Sequence, residues 1–466
     1  MVVIKNNKDN NVSMTGKVYL GLLLIIFGGI ALHAPISVGL STLWPDYSLL
    51  FKSWKEILML FAGVIALYLL YKNKKFKIFR DPIIIAIIIY ALIHLILLIF
   101  IFQGVVASIA GLAIDLRYLL FFGLVYIAMR LYPNYRNLFT RVGVAGALIV
   151  LVFGVMQVFI LPHDILKYIG YNINTISPYL TVDQNHDYIR INSFLRGPNP
   201  LGAYAGLVLT LLVAIIVKTK SLKNKWQLLI ISILSVSGLV VLWASYSRSA
   251  MIATAVAIAI VLAMTLFHKL STKLWIVIGI LVVLVSVGLF MIRDTTFISN
   301  VILHENPNGG SSINSNEGHA NSLIDGFNQL IRQPLGAGVG STGSASLIGG
   351  KSEIIENQYL FIAHEVGWLG LAIFLFIFIS IMIRLWKLRD DWLALGVFAS
   401  GIGLALIGIL LPVWVDDTVA IIWWGLAGLA IGSWKVASGQ SQIANRQSQK
   451  ANSRHKKGSK KDIIEL

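Results

Sequence analysis

The chain has 466 residues, of which 57% are hydrophobic and only 13% are charged. Soluble domains are about 45–50% apolar and about 25% charged, so this composition excludes a water-soluble fold. The formal net charge of +17 would suit a nucleic-acid-binding protein. However, the basic residues lie in short clusters between apolar runs and in the C-terminal tail, as membrane topology places them. The absence of cysteine excludes disulfides and thiolate catalysis.

Apolar runs recur along the chain at the length of a membrane span, which is about 20 residues. The qualifying runs are Val18–Leu40, Trp54–Tyr71, Pro82–Phe102, Val106–Leu131, Leu138–Leu161, Leu201–Val217, Trp226–Ala244, Ala250–Phe267, Leu274–Ile292, Tyr359–Ile383, Trp392–Leu411 and Thr418–Trp434. Inside lipid, the backbone polar groups of such runs must be satisfied within the segment, which favours helices. We therefore predict an all-α polytopic membrane protein with about 12 transmembrane helices. The first run has no small-residue cleavage site and is expected to be retained.

Lysine and arginine are unevenly distributed between alternate segments. If the N-terminus lies inside, most of them fall in inner segments, in clusters such as Lys72–Arg80 and Arg384–Arg389, and in the tail. This bias predicts that both ends of the chain are cytoplasmic. The predicted organisation is a cytoplasmic N-terminus (1–17), a transmembrane domain (18–434) and a basic, disordered cytoplasmic tail (435–466).

Two of the predicted outer segments are long, at residues 162–200 and 293–358. Long ordered loops usually carry function. In the second loop, apolar residues recur at helical spacing, at Leu323, Ile324, Phe327, Leu330 and Ile331. The pattern predicts an amphipathic helix over His319–Arg332 that lies on the membrane or over a cavity, and Pro334 ends it.

Arginines at the outer ends of spans are the most unusual residues of the sequence. Arg196 lies just before the sixth run, Arg248 lies in the short turn between the seventh and eighth, and Arg190 is close to Arg196 in sequence. Topology rules disfavour arginine on this side. One explanation is a snorkelling side chain or a structural ion pair. The other is an anion site, because guanidinium groups bind phosphate oxygens in a bidentate manner.

Two charged residues, Asp115 and Arg117, lie inside the fourth run. Residues two apart do not share a helix face. Each is therefore expected to have its own partner on another span, as a structural brace or as part of a functional site.

A second constellation precedes and opens the tenth run. It contains the glycine-rich segment Pro334–Gly343 and then Glu356–Gly370, with Glu356 and Asn357 at the mouth of the span. The glycines do not follow a strand, so the segment is neither a dinucleotide fingerprint nor a P-loop. His319 opens the predicted amphipathic helix and Arg332 lies at its end; the imidazole of His319 either accepts a proton or is an ordinary surface group.

These motifs together resemble the O-antigen ligase and polymerase superfamily of bacterial envelope glycosyltransferases. The matching pieces are Arg196–Gly202, Ser247–Ala250, Pro334–Gly340, and Asn357-x-Tyr-Leu leading into Gly367-x-x-Gly370. Their order, the number of spans and the large outer loop before the tenth span also fit. The resemblance covers residues 190–383 by motif and the rest by topology.

The resemblance implies a multi-pass protein of the bacterial cytoplasmic membrane that acts in cell-envelope, lipopolysaccharide or exopolysaccharide biosynthesis. It implies transfer of a glycan from undecaprenyl pyrophosphate to a hydroxyl of a glycan, lipid or protein acceptor, without metal, nucleotide or other cofactor and without nucleic acid. The resemblance places Arg196 and Arg248 on the pyrophosphate. Together with the positions of the other residues, we predict that Arg196, Arg248, Glu356 and His319 act in catalysis and that Arg190, Asn357, Tyr359 and Arg332 bind substrate.

The sequence departs from the ligase pattern at one position, because Glu356 stands where ligases typically carry histidine. Either Glu356 or His319 is the base, or the protein is a polymerase-like member. The alternative class is a transporter or flippase for a small solute or lipid-linked substrate. A central cavity between two pseudosymmetric halves would favour transport, whereas an outward-facing cavity lined by Arg196, Arg248 and Glu356 would favour the enzyme.

Overall fold

The computed structural model describes residues 12–182, 185–219, 224–266, 315–350 and 353–434, with backbone alone for 315–322 and 325. The predicted span Leu274–Ile292 and the predicted basic tail lie outside the described residues. Within them, the chain folds into α1 (Met14–Gly29), α2 (His33–Leu43), α3 (Ser48–Lys52), α4 (Trp54–Lys72), α5 (Pro82–Phe100), α6 (Val105–Leu131), α7 (Arg136–Phe159), α8 (Pro198–Lys218), α9 (Lys225–Ala244), α10 (Arg248–Leu266), α11 (Ser315–Arg332), α12 (Gly343–Ile348), α13 (Gln358–Lys387), α14 (Trp392–Ile407) and α15 (Asp417–Gly432).

The apolar runs form the predicted helices. Among the described residues, 9 helical segments are long and apolar enough to cross a membrane, with α1 and α2 together forming the first, and α14 and α15 are shorter apolar helices. These segments coincide with all the predicted runs except Leu274–Ile292. The prediction of a polytopic helical membrane protein is therefore confirmed.

One small sheet departs from the all-α prediction. The segment 162–200, which the charge pattern predicts to be outer, contains an antiparallel hairpin of β1 (Tyr179–Val182) and β2 (Asn185–Ile191), in which Leu180 pairs with Arg190. Aromatic and β-branched residues, which favour extended structure, make up most of β1 and recur in the second half of β2. Pairing of the two strands holds the backbone of Arg190 in a defined position.

Acidic and basic side chains pair at one end of the bundle, which we call the basic face. Arg384 at the end of α13 donates to both oxygens of Asp81 before α5, at 2.7 and 2.6 Å. Arg136 donates to Asp391, at 2.7 and 2.6 Å. These contacts join segments that the charge pattern assigned to the same side. The cytoplasmic location of this face stays a prediction.

Helices α8, α10 and α14 pack closely through small residues. A Cβ at Gly206 of α8 would lie 2.1 Å from the hydroxyl of Thr254 on α10, and a Cβ at Gly403 of α14 would lie 2.9 Å from the carbonyl oxygen of Ala253. Small residues let helix backbones approach inside a membrane, where the helices associate by packing. This packing brings the starts of α8 and α10 together.

The predicted amphipathic helix is present as α11. Leu330 is buried, and Gly326 lies against Leu360 of α13. Ile324 and Phe327 are at least half exposed, on a stripe that faces away from the bundle. An apolar stripe on a polar helix is typical of a helix that lies at a membrane surface.

Candidate functional site

The motifs of the sequence meet at the end of the bundle opposite the basic face, which we call the motif face. Helices α8, α10 and α13 begin there. A Cβ at Gly202 in the first turns of α8 would lie 2.7 Å from Ser245 Oγ and 2.9 Å from the Cβ of Ala250. The stretch that begins at Arg196 and the turn that contains Arg248 are therefore in direct contact.

Arg190 of β2 forms hydrogen bonds with both of these motifs. Its Nε donates to the carbonyl oxygen of Ser245, at 2.9 Å, and one Nη donates to Oδ1 of Asn199, at 2.6 Å. Ser245 ends α9 and Asn199 lies in the first turn of α8. These contacts give Arg190 a structural role at the site; its predicted role in substrate binding stays a prediction.

Arg248 is the first residue of α10 and is half-buried. The preceding turn is tight, because Tyr246 has a φ of 47°, a left-handed conformation that non-glycine residues rarely adopt. Ser245 Oγ accepts a hydrogen bond from the backbone N–H of Ser247, at 3.2 Å. The turn thus holds Arg248 at a helix N-terminus, where the backbone also favours anions.

Arg196 is exposed at the motif face, beside two buried groups. Burial raises the pKa of Tyr171, and the positive charge of Arg196 opposes that rise. The hydroxyl of Tyr171 makes no hydrogen bond within the described part of the chain. Burial also raises the pKa of Asp416, against the backbone N–H of Val419 and the charge of Arg196. The guanidinium group of Arg196 therefore lies close enough to influence both groups.

The start of α13 is tied to the segment between α14 and α15. Asn357 caps α13, since its Oδ1 accepts from the N–H groups of Tyr359 and Leu360, at 2.8 and 2.9 Å, and its Nδ2 donates to the carbonyl oxygen of Ile409, at 2.6 Å. The hydroxyl of Tyr359 donates to the carbonyl oxygen of Ala405, at 2.9 Å. Asn357 and Tyr359 thus position the helix, and their predicted substrate contacts stay predictions.

The remaining predicted site residues lie around the same entrance. Glu356 is half-buried immediately before α13, and Arg332 is exposed at the end of α11. The backbone of His319 lies in α11, but its side chain is outside the described part of the structure. The segment that follows α14 connects the two halves of the site, because it contacts Asn357 and leads to Asp416 beside Arg196.

A buried charge cluster beneath the site was missed by the sequence analysis. Asp417 at the start of α15 pairs with Arg117 of α6, with Lys55 of α4 at 3.4 Å, and with His33 of α2 at 2.7 Å. Lys55 is only 2% exposed. Asp417 stands next to an apolar run, and an ionisable residue at such a position is by default a site candidate.

Each charge of α6 has its own partner, as predicted. Arg117 donates to the carbonyl oxygen of Val415, at 2.5 Å, and pairs with Asp417. Asp115 lies 3.4 Å from Nε2 of His94 on α5 and also contacts Glu365 of α13. Glu365 is another charged residue that the sequence did not single out, although it lies within the segment Glu356–Gly370.

An apolar groove of about 650 Å³ opens beside the arginine turn. Phe159 of α7 and Leu239 and Trp243 of α9 form an apolar wall, and Tyr246 and Asp187 of β2 also line the groove. The three wall side chains are more than half exposed. Within the described ranges, no three histidine, aspartate or glutamate side chains form a group that could hold a metal ion.

These features define a multi-pass membrane protein with a cationic site at one face. Residues 233–375 match the model of the Wzy_C family, described as O-antigen ligase. The chain therefore carries an O-antigen ligase domain across these residues, which include Arg248 and Glu356, and the predicted resemblance is confirmed there. The family implies glycan ligase activity of O-antigen ligase or polymerase type on lipid-linked glycans. No curated protein sequence matches the chain.

Proposed function

We propose that the protein transfers a glycan from undecaprenyl pyrophosphate to an acceptor hydroxyl at the outer face of the cytoplasmic membrane, either polymerising the glycan or ligating it. The observation that carries this proposal is the contact between the segment that begins at Arg196 and the turn that contains Arg248, at the starts of two helices that pack through Gly202. Two guanidinium groups next to helix N-termini fit a pyrophosphate group.

The proposed reaction is a displacement at the anomeric carbon. The oxygen of the acceptor hydroxyl forms a bond to that carbon, the bond from the carbon to the pyrophosphate oxygen breaks, and undecaprenyl pyrophosphate leaves with the electron pair. The hydroxyl proton passes to Glu356 or His319. Arg196 and Arg248 stabilise the charge that develops on the leaving group, which fixed cations do best where water is excluded.

The groove beside Tyr246 supports the same assignment. Exposed apolar side chains of α7 and α9 line it together with Tyr246, which is two residues before Arg248 in the chain. A polyprenyl chain in this groove would remain in lipid while its pyrophosphate reaches Arg248.

Transfer by the purified protein in proteoliposomes tests the proposal. With a lipid-linked glycan and an acceptor supplied, Arg196→Ala and Arg248→Ala should each lower kcat by about 10²–10³-fold, the usual effect of removing one transition-state donor. Arg248→Lys should restore only part of the loss, because lysine cannot form the bidentate contact.

Lys167→Ala is the matched control, since Lys167 is an exposed cation of the same outer segment that pairs with Asp164. Its activity should equal that of the parent. Normal transfer by both arginine variants would contradict the anion site.

Glycan profiles of a deletion strain separate the two reactions. Single repeat units that accumulate on undecaprenyl pyrophosphate, with long chains lost, indicate a polymerase. Long lipid-linked chains that accumulate, with the surface conjugate lost, indicate a ligase. The base is identified by comparing Glu356→Gln with His319→Asn, because only the variant of the base loses the acid limb of the pH–rate profile.

A further inference from the structure

A buried carboxylate organises the glycine-rich segment 334–343, which we call the glycine loop. Glu365 of α13 is 1% exposed. Its Oε2 accepts a hydrogen bond from the N–H of Gly340, at 3.0 Å, and its Oε1 accepts one from the N–H of Thr342, at 3.3 Å. A carboxylate that receives two backbone N–H groups in a dry interior fixes the conformation of the backbone that donates them.

The glycine loop can approach Glu365 only because of its glycines. Gly338 and Gly340 have φ values of 100° and 84°, in the left-handed region that glycine adopts without strain. A Cβ at Gly340 would lie 2.2 Å from the carbonyl oxygen of Ala107, and a Cβ at Gly338 would lie 2.5 Å from that of Ile101. The loop therefore packs in close contact with α13 on one side and with the connection from α5 to α6 on the other.

The far end of the glycine loop holds the segment that leads to Glu356. The carbonyl oxygen of Glu353 accepts from the N–H of Gly343 at 2.8 Å, from the hydroxyl of Thr342 at 3.1 Å and from the hydroxyl of Ser346 at 3.0 Å. Glu353 is three residues before Glu356. A continuous set of hydrogen bonds thus runs from Glu365 through the loop to the segment that presents Glu356.

Asp115 of α6 is a buried neighbour of Glu365, close enough for the two acidic groups to interact. His94 lies on the other side of Asp115, with Nε2 at 3.4 Å from Oδ2. Gly111 of α6 also contacts the loop, since a Cβ there would lie 2.5 Å from the backbone nitrogen of Gly340.

We propose that Glu365 is a positioning residue, which through the glycine loop sets the place of Glu356 at the entrance of α13. The inference rests on the proposed function for its catalytic consequence, but the anchoring of the loop can be measured without any reaction. Glu365 does not itself contact the reacting groups. Its loss therefore lowers kcat while the affinity for the donor, which Arg196 and Arg248 hold, is unchanged.

Thiol labelling measures the anchoring directly, because the natural chain contains no cysteine. Ser341→Cys places a thiol in the loop at a residue that is 6% exposed. It should react slowly with a membrane-impermeant maleimide in the parent and at least about tenfold faster when Glu365→Ala is added, because the loop then opens locally. Leu347→Cys, at a residue that is 52% exposed, should react quickly in both backgrounds.

Asp46→Ala is the control, since it removes an exposed carboxylate that lies outside the glycine loop and the candidate site. It should leave labelling of the Ser341→Cys thiol and the transfer rate unchanged. Glu365→Ala should lower kcat by about 10²-fold, the usual effect of a displacement of about 1 Å, with KM for the donor within twofold. Glu365→Gln, which keeps one acceptor oxygen, should restore part of both losses.

If the Ser341→Cys thiol reacts at the same rate in the parent and in the Glu365→Ala background, the proposal is overturned, whatever the transfer activity. If Glu365→Ala does not accumulate in the membrane, Glu365→Gln provides the same test, and parental labelling with parental kcat in that variant would overturn it as well. Absence of glycan transfer by the parent protein, with faster labelling in Glu365→Ala, would contradict the proposed function and leave the anchoring role standing.

Discussion

Removal of the Arg190 side chain should disconnect the two arginine motifs. Arg190→Ala deletes the donors to Ser245 and Asn199, at 2.9 and 2.6 Å. Hydrogen bonds that involve a charged group each contribute about 1.5–3 kcal/mol. Every 1.4 kcal/mol is a factor of ten, so losing one of them should cost about 10-fold to 100-fold in transfer rate if it positions Arg248, and losing both should cost more.

A double-mutant cycle distinguishes this role from direct substrate binding. Asn199→Ala removes one of the two contacts and leaves Arg190 in place. If Arg190 acts as a clamp, Asn199→Ala reproduces part of the loss, and adding it to Arg190→Ala has little further effect, because coupled residues are not additive. His186→Ala is the control, since His186 is exposed on the same strand.

The assay is transfer in proteoliposomes at several donor concentrations, together with a thermal melt of each variant in detergent. The clamp predicts a lower kcat for Arg190→Ala with a small change in KM. A parental rate for Arg190→Ala would refute the reasoning. If Asn199→Ala has the parental rate while Arg190→Ala is inactive or has a raised KM for the donor, Arg190 binds the donor directly.

Three further variants test separate features. Tyr171→Phe removes a buried hydroxyl that makes no hydrogen bond among the described residues, so the fold should persist. If this hydroxyl binds the pyrophosphate, KM for the donor should rise a few-fold. An unchanged KM would exclude the hydroxyl from the site. Gly340→Ala should prevent folding or strongly lower the melting temperature. Gly350 has a similar φ but open space around it. Gly350→Ala should therefore lower the free energy of unfolding only by the strain of a left-handed backbone, about 1–3 kcal/mol. Equal melting temperatures of the Gly340→Ala and Gly350→Ala variants would contradict the close contact at Gly340. Burial would raise the pKa of Asp81, but hydrogen bonds from Arg384 and Tyr126 outweigh it and hold this pKa below its ordinary value. The folded protein should therefore lose stability as the pH falls below about 4, and Asp81→Asn should melt lower at pH 7 and lose that part of the pH dependence.

The sequence was sufficient for the parts of the fold that depend on local pattern. The apolar runs predicted the described spans, and the spacing of Leu323 to Ile331 predicted α11. The two-residue separation of Asp115 and Arg117 also predicted that each has its own partner on another span, which the structure confirms. These features follow from helix geometry and from the cost of an unpaired charge in lipid.

The contacts of the site could not be predicted in the same way, because they join distant parts of the chain. Arg117 and Asp417 are 300 residues apart, and no local pattern pairs them. The capping role of Asn357 could have been predicted, since asparagine before an apolar helix is a preferred cap. The motif was instead interpreted as a substrate-binding site. Glu365 was overlooked because the surrounding run is apolar, although a carboxylate at that depth is itself unusual.

The interruption of α13 at Gly367, where φ is 70°, has a consequence for how the chain enters the membrane. Around this break, the carbonyl oxygens of His364 and Glu365 accept from Ala337 and Gly338, and the N–H of Trp368 donates to Pro334. Until the glycine loop docks, these groups would face hydrocarbon without partners. During translation, residues 334–343 leave the ribosome before α13 does. The order of the chain therefore makes the partner of the broken helix available before the helix is inserted.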